Sequence, residues 1–476
     1  MTVASTAAER EPSIARALPA PEGSTGQDTK PPKPETSTGK GTCPGEDQSF
    51  WHVLGHHDFC LYFVGSLASN LGTWLQNTAQ VVLVYQLTNS VFAVGAVTCL
   101  QFSGSMLLGP YAAVLAARVG GRRLLTGTQF FSAVVAGAMA ILQFSGQLTQ
   151  DWLIAGALAI GLAFSFALPV QTAMVPRLVP IGDTRAAMTM NSVSYNAGRA
   201  LAPVLCVAVI TAMGFGWAFA LNAISFGIFT ATLFMTAPHD AQMPTERTRA
   251  KDGLRIARKQ PRIILLLAMV AAVTIADDPV LVLGPALARH LGTTDVWPGY
   301  FLSALGCGTV VGSLKRHRKP AKSSASKVPE VSRVSRRAAW SLLFLGGAIA
   351  IFAAGVNAWT SLAAAFIAGV MALWVGAATQ SLLVQQDQQR ATSVMALWAI
   401  AWAGSKPLAS LADGFLAGKY HLLVAGVVLA TPAIALAACE ALLPAGWKKK
   451  LKINKYLVEW RNAAQAPSPY PDPFPP

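Results

Sequence analysis

Gly109-Pro-Tyr-Ala-Ala-Val-Leu-Ala-Ala-Arg-Val-Gly-Gly-Arg-Arg123 is an apolar helix running into a glycine turn that carries three arginines. About twenty apolar residues flank the turn on each side, and at roughly 1.5 Å per residue each stretch crosses the hydrocarbon core of a bilayer. The turn therefore sits at a membrane face. No acid lies between Arg118 and Arg123, so that face reads as cytoplasmic, because short loops rich in Lys and Arg stay on the inner side. One placed turn sets the sidedness of every other loop.

The 476 residues are 53% hydrophobic and only 12% charged, with a mean hydropathy of +0.45. A soluble protein carries about twice that charged fraction, so the class is a polytopic, all-α membrane protein. A net charge of +15 would suit a nucleic-acid binder if the basic residues shared one soluble face. They fall instead in alternate gaps between apolar runs, which excludes that class. The first 50 residues hold no apolar run of the signal-peptide kind, so the first membrane segment acts as its own insertion signal. Cys43, Cys60, Cys99, Cys206, Cys307 and Cys439 are scattered and mostly inside apolar runs. They read as small core residues, with no spacing for a disulfide or zinc framework.

Twelve apolar segments follow, at residues 59–87, 91–117, 122–145, 151–176, 185–213, 216–237, 262–288, 298–314, 338–357, 359–383, 391–417 and 420–444. Of the 37 Lys and Arg, 33 fall on the predicted inner side; Arg289 and Lys419 fall outside, and Arg199 and Lys406 lie within the membrane. An even number of passes with both termini cytoplasmic satisfies the positive-inside rule at nearly every loop. Residues 1–58 read as a disordered cytoplasmic tail, too rich in Pro, Gly, Ser, Thr and charge to bury a core. A six-helix half at 59–237, a cytoplasmic linker at 238–261, a second six-helix half at 262–444 and a cytoplasmic tail at 445–476 complete the division. The basic connection 315–337 reads as a solvated inner loop, with contact to anionic lipid as its alternative. His56, His57 and Asp58 read as interfacial residues, and no metal site is expected.

A faint repeat links the halves. Thr184-Arg-Ala-Ala-Met188 and Ala197-Gly-Arg199 resemble Gln389-Arg-Ala-Thr-Ser393 and Ala403-Gly-Ser-Lys406 at an offset of 205 to 206 residues. Such repeated halves are an architecture of alternating-access transporters.

An ionised side chain near the bilayer centre costs on the order of 3 kcal/mol on insertion scales, so it faces protein or a wet cavity. Arg199, Asp277, Asp278 and Lys406 occupy such positions. The two acids are about 100° apart on a helix, and Pro279 after them removes a backbone hydrogen bond. They are candidates for proton coupling, against the alternative of structural ion pairs with Arg199 or Lys406. Ser192, Asn196 and Arg199 fall at i, i+4 and i+7, facing one cavity. Arg199 and Lys406 are placed to face each other across it, with room for a substrate carboxylate between them. In segment one, Ser66, Asn70, Thr73, Asn77 and Gln80 form a polar stripe that reads as a water-filled path, against interhelical hydrogen bonding. Gln171, Tyr195 and Gln380 are further candidates for its wall. Trp74, Trp374, Trp398 and Trp402 read as core, with stacking on an aromatic substrate as the alternative. Asp413 and Glu440 read as helix-end or interfacial residues. Lys448-Lys-Lys450 reads as a positive-inside anchor. No phosphate-binding GxxxxGK[ST] motif occurs, so nothing points to ATP as the driver or to any other cofactor.

The opening stretch resembles the loop signature G-x-L-A-D-R-x-G-R-R of the major facilitator superfamily, between its second and third helices. Ser69-Asn-Leu-Gly-Thr-Trp-Leu-Gln76, Leu87-Thr-Asn-Ser90, Pro169-Val-Gln-Thr-Ala-Met-Val-Pro-Arg-Leu-Val-Pro180, Asn196-Ala-Gly-Arg-Ala-Leu-Ala-Pro203, Gly376-Ala-Ala-Thr-Gln380 and Val394-Met-Ala-Leu397 resemble its proton-coupled drug and siderophore exporters. The resemblance covers roughly residues 59–440. It implies twelve transmembrane helices in two six-helix halves and a gating loop of Arg118, Gly120, Gly121, Arg122 and Arg123. It also implies multidrug efflux by proton antiport, without enzymatic activity. Two departures stand out: the signature's acid falls on Ala117, and Thr392 and Ser393 replace the last two residues of an Arg-Gly-Arg. The family also places Arg199 before a Gly-Pro pair associated with antiport, where this chain has Ala202-Pro203.

The reading is a monomeric major facilitator exporter of a drug or small organic metabolite in the cell membrane. Its partners are a small-molecule substrate, protons and the lipid bilayer. Asp277 and Asp278 are the proton-coupling candidates; Arg199, Lys406, Asn70, Thr73, Asn77, Gln80, Ser192, Asn196 and Gln380 are the substrate-binding candidates. Export of a siderophore or another anionic metabolite is the nearest alternative. A sensor or assembly protein that has kept the fold and lost transport is the second.

Overall fold

A computed structural model describes residues 52–236, 260–317, 328–386 and 391–442. The expectations for the N-terminal tail up to Trp51, most of the 238–261 linker, the C-terminal tail with Lys448–Lys450, and the side chains of Thr392 and Ser393 lie outside them. Fourteen α-helices are described: α1 (His57–Thr88), α2 (Val91–Val119), α3 (Gly121–Phe144), α4 (Gln150–Met174), α5 (Thr184–Met213), α6 (Phe215–Met235), α7 (Pro261–Asp277), α8 (Pro279–Val282), α9 (Gly284–His290), α10 (Trp297–His317), α11 (Val328–Ala354), α12 (Ala358–Gln386), α13 (Ala391–Lys419) and α14 (Leu422–Leu442). α7, α8 and α9 follow one another as a single broken helix, so the described helices form twelve consecutive rods.

Eight of these helices are long and apolar enough to cross a membrane on that ground alone. α1 is not among them, although it has 32 residues: its polar stripe lowers its hydropathy. Its polar side chains are covered by other helices, the arrangement that lets a polar helix stand in a bilayer.

Local chemistry sets the reversals. Ser90 Oγ accepts from the Ala93 amide and caps α2, while Asn89 takes the left-handed conformation at φ 51° and ends α1, as the C-cap position favours. Gly120 has φ 94°, a conformation open to glycine without strain, and it turns α2 into α3. Asn357 Oδ1 accepts from the Thr360 amide at 2.8 Å and starts α12.

Within the first six helices, α1 packs on α5 and α6, α3 on α4 and α6, and α2 on α4; among the later ones, α10 packs on α12, and α11 on α12 and α14. Two seams join these groups, α2 against α13 and α5 against α10. The first seam is tight because it is built of glycine. A methyl group at Gly95 would collide with the Ser410 carbonyl, and one at Gly414 would stand 3.0 Å from the Phe92 Cα. Small residues let two helix backbones approach in this way.

The seams continue toward the end of the bundle that carries Asn89. There Gln86 Nε2 donates to Asp295 Oδ2 at 2.7 Å, Arg289 Nη1 donates to Asn89 Oδ1, and the Arg289 guanidinium lies 5.0 Å from the Tyr85 ring centroid. The opposite end carries Gly120.

Two expectations are corrected. α11 starts at Val328, about ten residues before the apolar segment, so part of the basic connection 315–337 is helix; Pro329 sits in its first turn, where proline is tolerated. Cys307 and Cys439 are exposed rather than core residues, whereas Cys206 is buried.

Candidate functional site

At mid-height, four charged residues form two pairs. Arg199 Nη2 donates to Asp277 Oδ2 at 2.6 Å, and Lys406 Nζ donates to Asp278 Oδ1 at 2.7 Å. Asp277 and Asp278 are adjacent in sequence, so helical geometry aims them apart: one reaches α5 across the seam, the other reaches α13. The sequence left open whether each acid faces a cavity or pairs with a base. Asp277 does both, and Asp278 is fully buried in its pair. Each carboxylate spends one oxygen, since Asp277 Oδ1 and Asp278 Oδ2 are buried without a hydrogen-bond partner.

Aromatic rings wall this charged layer. The Arg199 guanidinium lies 5.6 Å from the Trp74 ring and the Lys406 ammonium 5.5 Å from the Phe102 ring, distances at which a ring quadrupole attracts a cation. Tyr195 packs edge-on against both Trp74 and Trp402, and Trp402 stacks on Trp398. Trp374 lies apart from them and donates from Nε1 to the Gly312 carbonyl.

Two small cavities meet this layer. One, of about 10 Å³, touches Trp74, Arg199, Asp277 and Lys406, about the space of a single water. The other, of about 40 Å³, is lined by Asn70, Thr73 and Asn77 of α1 with Gln101, Gln129, Ser132, Gln171 and Tyr195. It has room for a few waters and is smaller than a drug-sized ligand needs. Nearer the Gly120 end, on the α5 face that carries Arg199, Met188 and Ser192 are exposed. Among the described residues, the contacts that join the halves across their polar side chains, apart from the Arg199–Asp277 pair, lie toward Asn89.

A family model described as transmembrane secretion effector matches residues 48–460. The chain belongs to that family, within the major facilitator superfamily. It is a multi-pass membrane transporter and not an enzyme. No curated protein matches it by sequence. Among solved structures, the nucleoside transporter NupG superposes with a TM-score of 0.61 at 11% identity, over 81% of this chain and 98% of that one. A bacterial homolog of the human lysosomal transporter Spinster, inward-facing and unoccupied, gives 0.57 at 14% identity over 84% and 96%. At such identities the likeness is one of fold.

The other residues singled out in the transporter's sequence divide by place. Of the α1 stripe, Asn70, Thr73 and Asn77 line the larger cavity, while Ser66 and Gln80 do not. The Gln80 amide is buried without a partner. The stripe also makes the interhelical bonds that were its alternative: Asn70 Nδ2 donates to Ser194 Oγ at 3.1 Å, and Asn77 Oδ1 accepts from Gln101 Nε2 at 2.5 Å. Ser192 and Asn196 do not share a cavity with Arg199. Ser192 Oγ and Asn196 Nδ2 donate to carbonyls of their own helix. Gln380 is exposed and lines neither cavity. Gln101, Gln129 and Ser132 were missed, and each is a polar residue inside an apolar run, the signal that could have found it.

The loop around Gly120 is asymmetric. Arg118 and Arg123 are exposed, whereas Arg122 donates to the Leu233 and Phe234 carbonyls at 2.8 and 2.7 Å and caps the end of α6. His56, read as interfacial from sequence, donates from Nε2 to Asp183 Oδ2 at 2.8 Å, with His52 Nδ1 3.8 Å from the same oxygen. This contact fastens the start of α1 to the connection before α5. Asp413 is corrected: it lies inside α13, fully buried, and both its carboxylate oxygens lack a hydrogen-bond partner among the described residues.

Proposed function

We propose that this transporter exports a small organic molecule in exchange for protons, with the Gly120 end facing the cytoplasm and the two six-helix halves rocking about the charged layer. The observation that carries the reading is the pair of buried ion pairs on consecutive residues, one between the halves and one within the second. A proton arriving on Asp277 cancels the charge that Arg199 holds, and the tie across the α5 seam weakens. A proton on Asp278 frees Lys406 within the second half and leaves that tie in place. Protonation is thereby linked to the movement of one half against the other, which is what exchange transport requires. The description of the family as secretion effectors supports the outward direction. One charge crossing about 100 mV supplies about 2.3 kcal/mol, enough for a gradient of about fifty-fold.

Arg199 and Lys406 both touch the smaller cavity, and this favours a second reading, in which the exported molecule carries a carboxylate that competes with Asp277 and Asp278.

The test is efflux of a fluorescent cationic dye from cells producing the transporter, with and without a protonophore, beside the Asp277→Asn, Asp278→Asn double variant. Dye export that stops with the protonophore and in the variant supports the first reading. Export indifferent to both refutes proton coupling through these acids. If no dye moves, a fluorescent carboxylate in the same assay decides for or against the second reading.

A further inference from the structure

Asp413 is a buried acid with no assigned work. Ser410 and Gly414, its neighbours at i−3 and i+1, are the two α13 positions where Gly95 of α2 comes closest, so it sits at the level of the α2–α13 seam. Lys406, Ser410 and Asp413 fall at i, i+4 and i+7, on one face of the helix. Ser410 is fully buried and donates to the Lys406 carbonyl at 3.0 Å. From the elements packed on α13, the titratable groups toward this level are Cys99 of α2 and Asp277 and Asp278 of α7, with Arg199 beyond Asp277. α12 carries no charged residue, and α14 carries Glu440 near its other end.

An ionised carboxylate with both oxygens dry and no donor is far more costly to bury than the neutral acid. The seam as described can therefore close over Asp413 cheaply only when the acid holds a proton. In the opposite arrangement, α2 and α13 part at the Asn89 end and water reaches the carboxylate, which is then free to ionise. We propose that Asp413 is the proton-binding carboxyl of the Asn89 side and that its protonation permits the α2–α13 seam to close. This rests on the proton-exchange reading above and adds to it the group whose proton lets the Asn89 side close. In balance, one carboxylate at Asp413 gains one proton from water on the open side. Closed, Asp413 keeps that proton and stays neutral in the dry seam, and it gives the proton back to water only when the seam next opens. An exporter built this way cannot return empty-handed, because the unprotonated seam does not shut.

The experiment is spin-label distance measurement on the full chain in liposomes. Labels go on cysteines at Ser145 and Val356, exposed residues at the Asn89 end of the first and second halves, in a background whose native cysteines are replaced. With Asp413 intact, the ratio of closed to open distances, scanned from about pH 5 to pH 9, should fall as the pH rises, by up to about tenfold per pH unit for a single proton. Asp413→Asn, a neutral isostere, should stay closed across that range with no transition, and its dye export should no longer run against a gradient. Asp413→Glu should keep the slope and move the midpoint. An Asn variant with the wild-type slope overturns the proposal, and so does a Glu variant whose midpoint is unmoved; the second result decides even if the Asn variant does not fold. Dye export by the unaltered transporter that ignores the proton gradient refutes the exchange reading itself. The intact slope in the Asn variant, with gradient-driven export present, refutes only the role of Asp413.

Discussion

Asp277→Asn should open the bundle at the Asn89 end. In the pair with Arg199, the side chains are 17% and 8% exposed, so the substitution leaves a guanidinium largely out of water with no anion. Breaking a buried pair from one side costs about 3–5 kcal/mol. Arg199 keeps some access to water and its contact with the Trp74 ring, which places the expected cost near the lower limit, about 3 kcal/mol. The pair joins α5 to α7, one helix from each half, so the cost falls on the described arrangement and is relieved when the halves move. About 3 kcal/mol corresponds to a shift of about 150-fold in the ratio of the two arrangements. Distances between labels at Ser145 and Val356 measure that ratio directly, and the variant should populate the longer distance. Asp278→Asn is the control: its partner Lys406 lies in the same half, so it should lower thermal stability in detergent while leaving the distance distribution near that of the unaltered protein. Equal effects of the two substitutions on the distances would refute the assignment of Arg199–Asp277 as the tie between the halves.

Three further outcomes follow from the packing. Gly414→Val places a branched side chain against backbone atoms of Phe92, Val91 and Gly95, which cannot yield, so it should cost about 1–3 kcal/mol and shift the same label distances toward opening. Arg122→Ala removes the two bonds to the Leu233 and Phe234 carbonyls; it should cost about 1 kcal/mol, seen as faster hydrogen exchange confined to the last turn of α6. Gln86→Ala removes an exposed bond to Asp295 and should leave efflux and label distances unchanged, since surface contacts of this kind contribute little.

The passes were legible because a bilayer leaves few options. Apolar length, glycine turns and the placement of Lys and Arg answer to the solvent on each side of the chain, and each can be read one residue at a time. The four charged residues were legible for the same reason, since a charge in an apolar run is conspicuous wherever it points. Their pairing was not. Asp277 and Arg199 are 78 residues apart, and only the meeting of α5 and α7 shows that they touch. Helical spacing placed Ser192 and Asn196 on the face of Arg199, and only the structure shows that their side chains bond to carbonyls of their own helix. Asp413 was misread because its distance from the end of its own helix suggested an interface, while its burial depends on Gly95 and Gly414 letting α2 come close.

The sequence by itself determined that this protein is a bundle of membrane helices, where the chain turns, and which charges lie in the membrane, because those features follow from local transfer of each segment between water and hydrocarbon. Only the tertiary structure decided which acid meets which base, where polar side chains join the halves, and that Asp413 is dry and unpartnered among the described residues, because each of these depends on contacts between helices far apart in the chain.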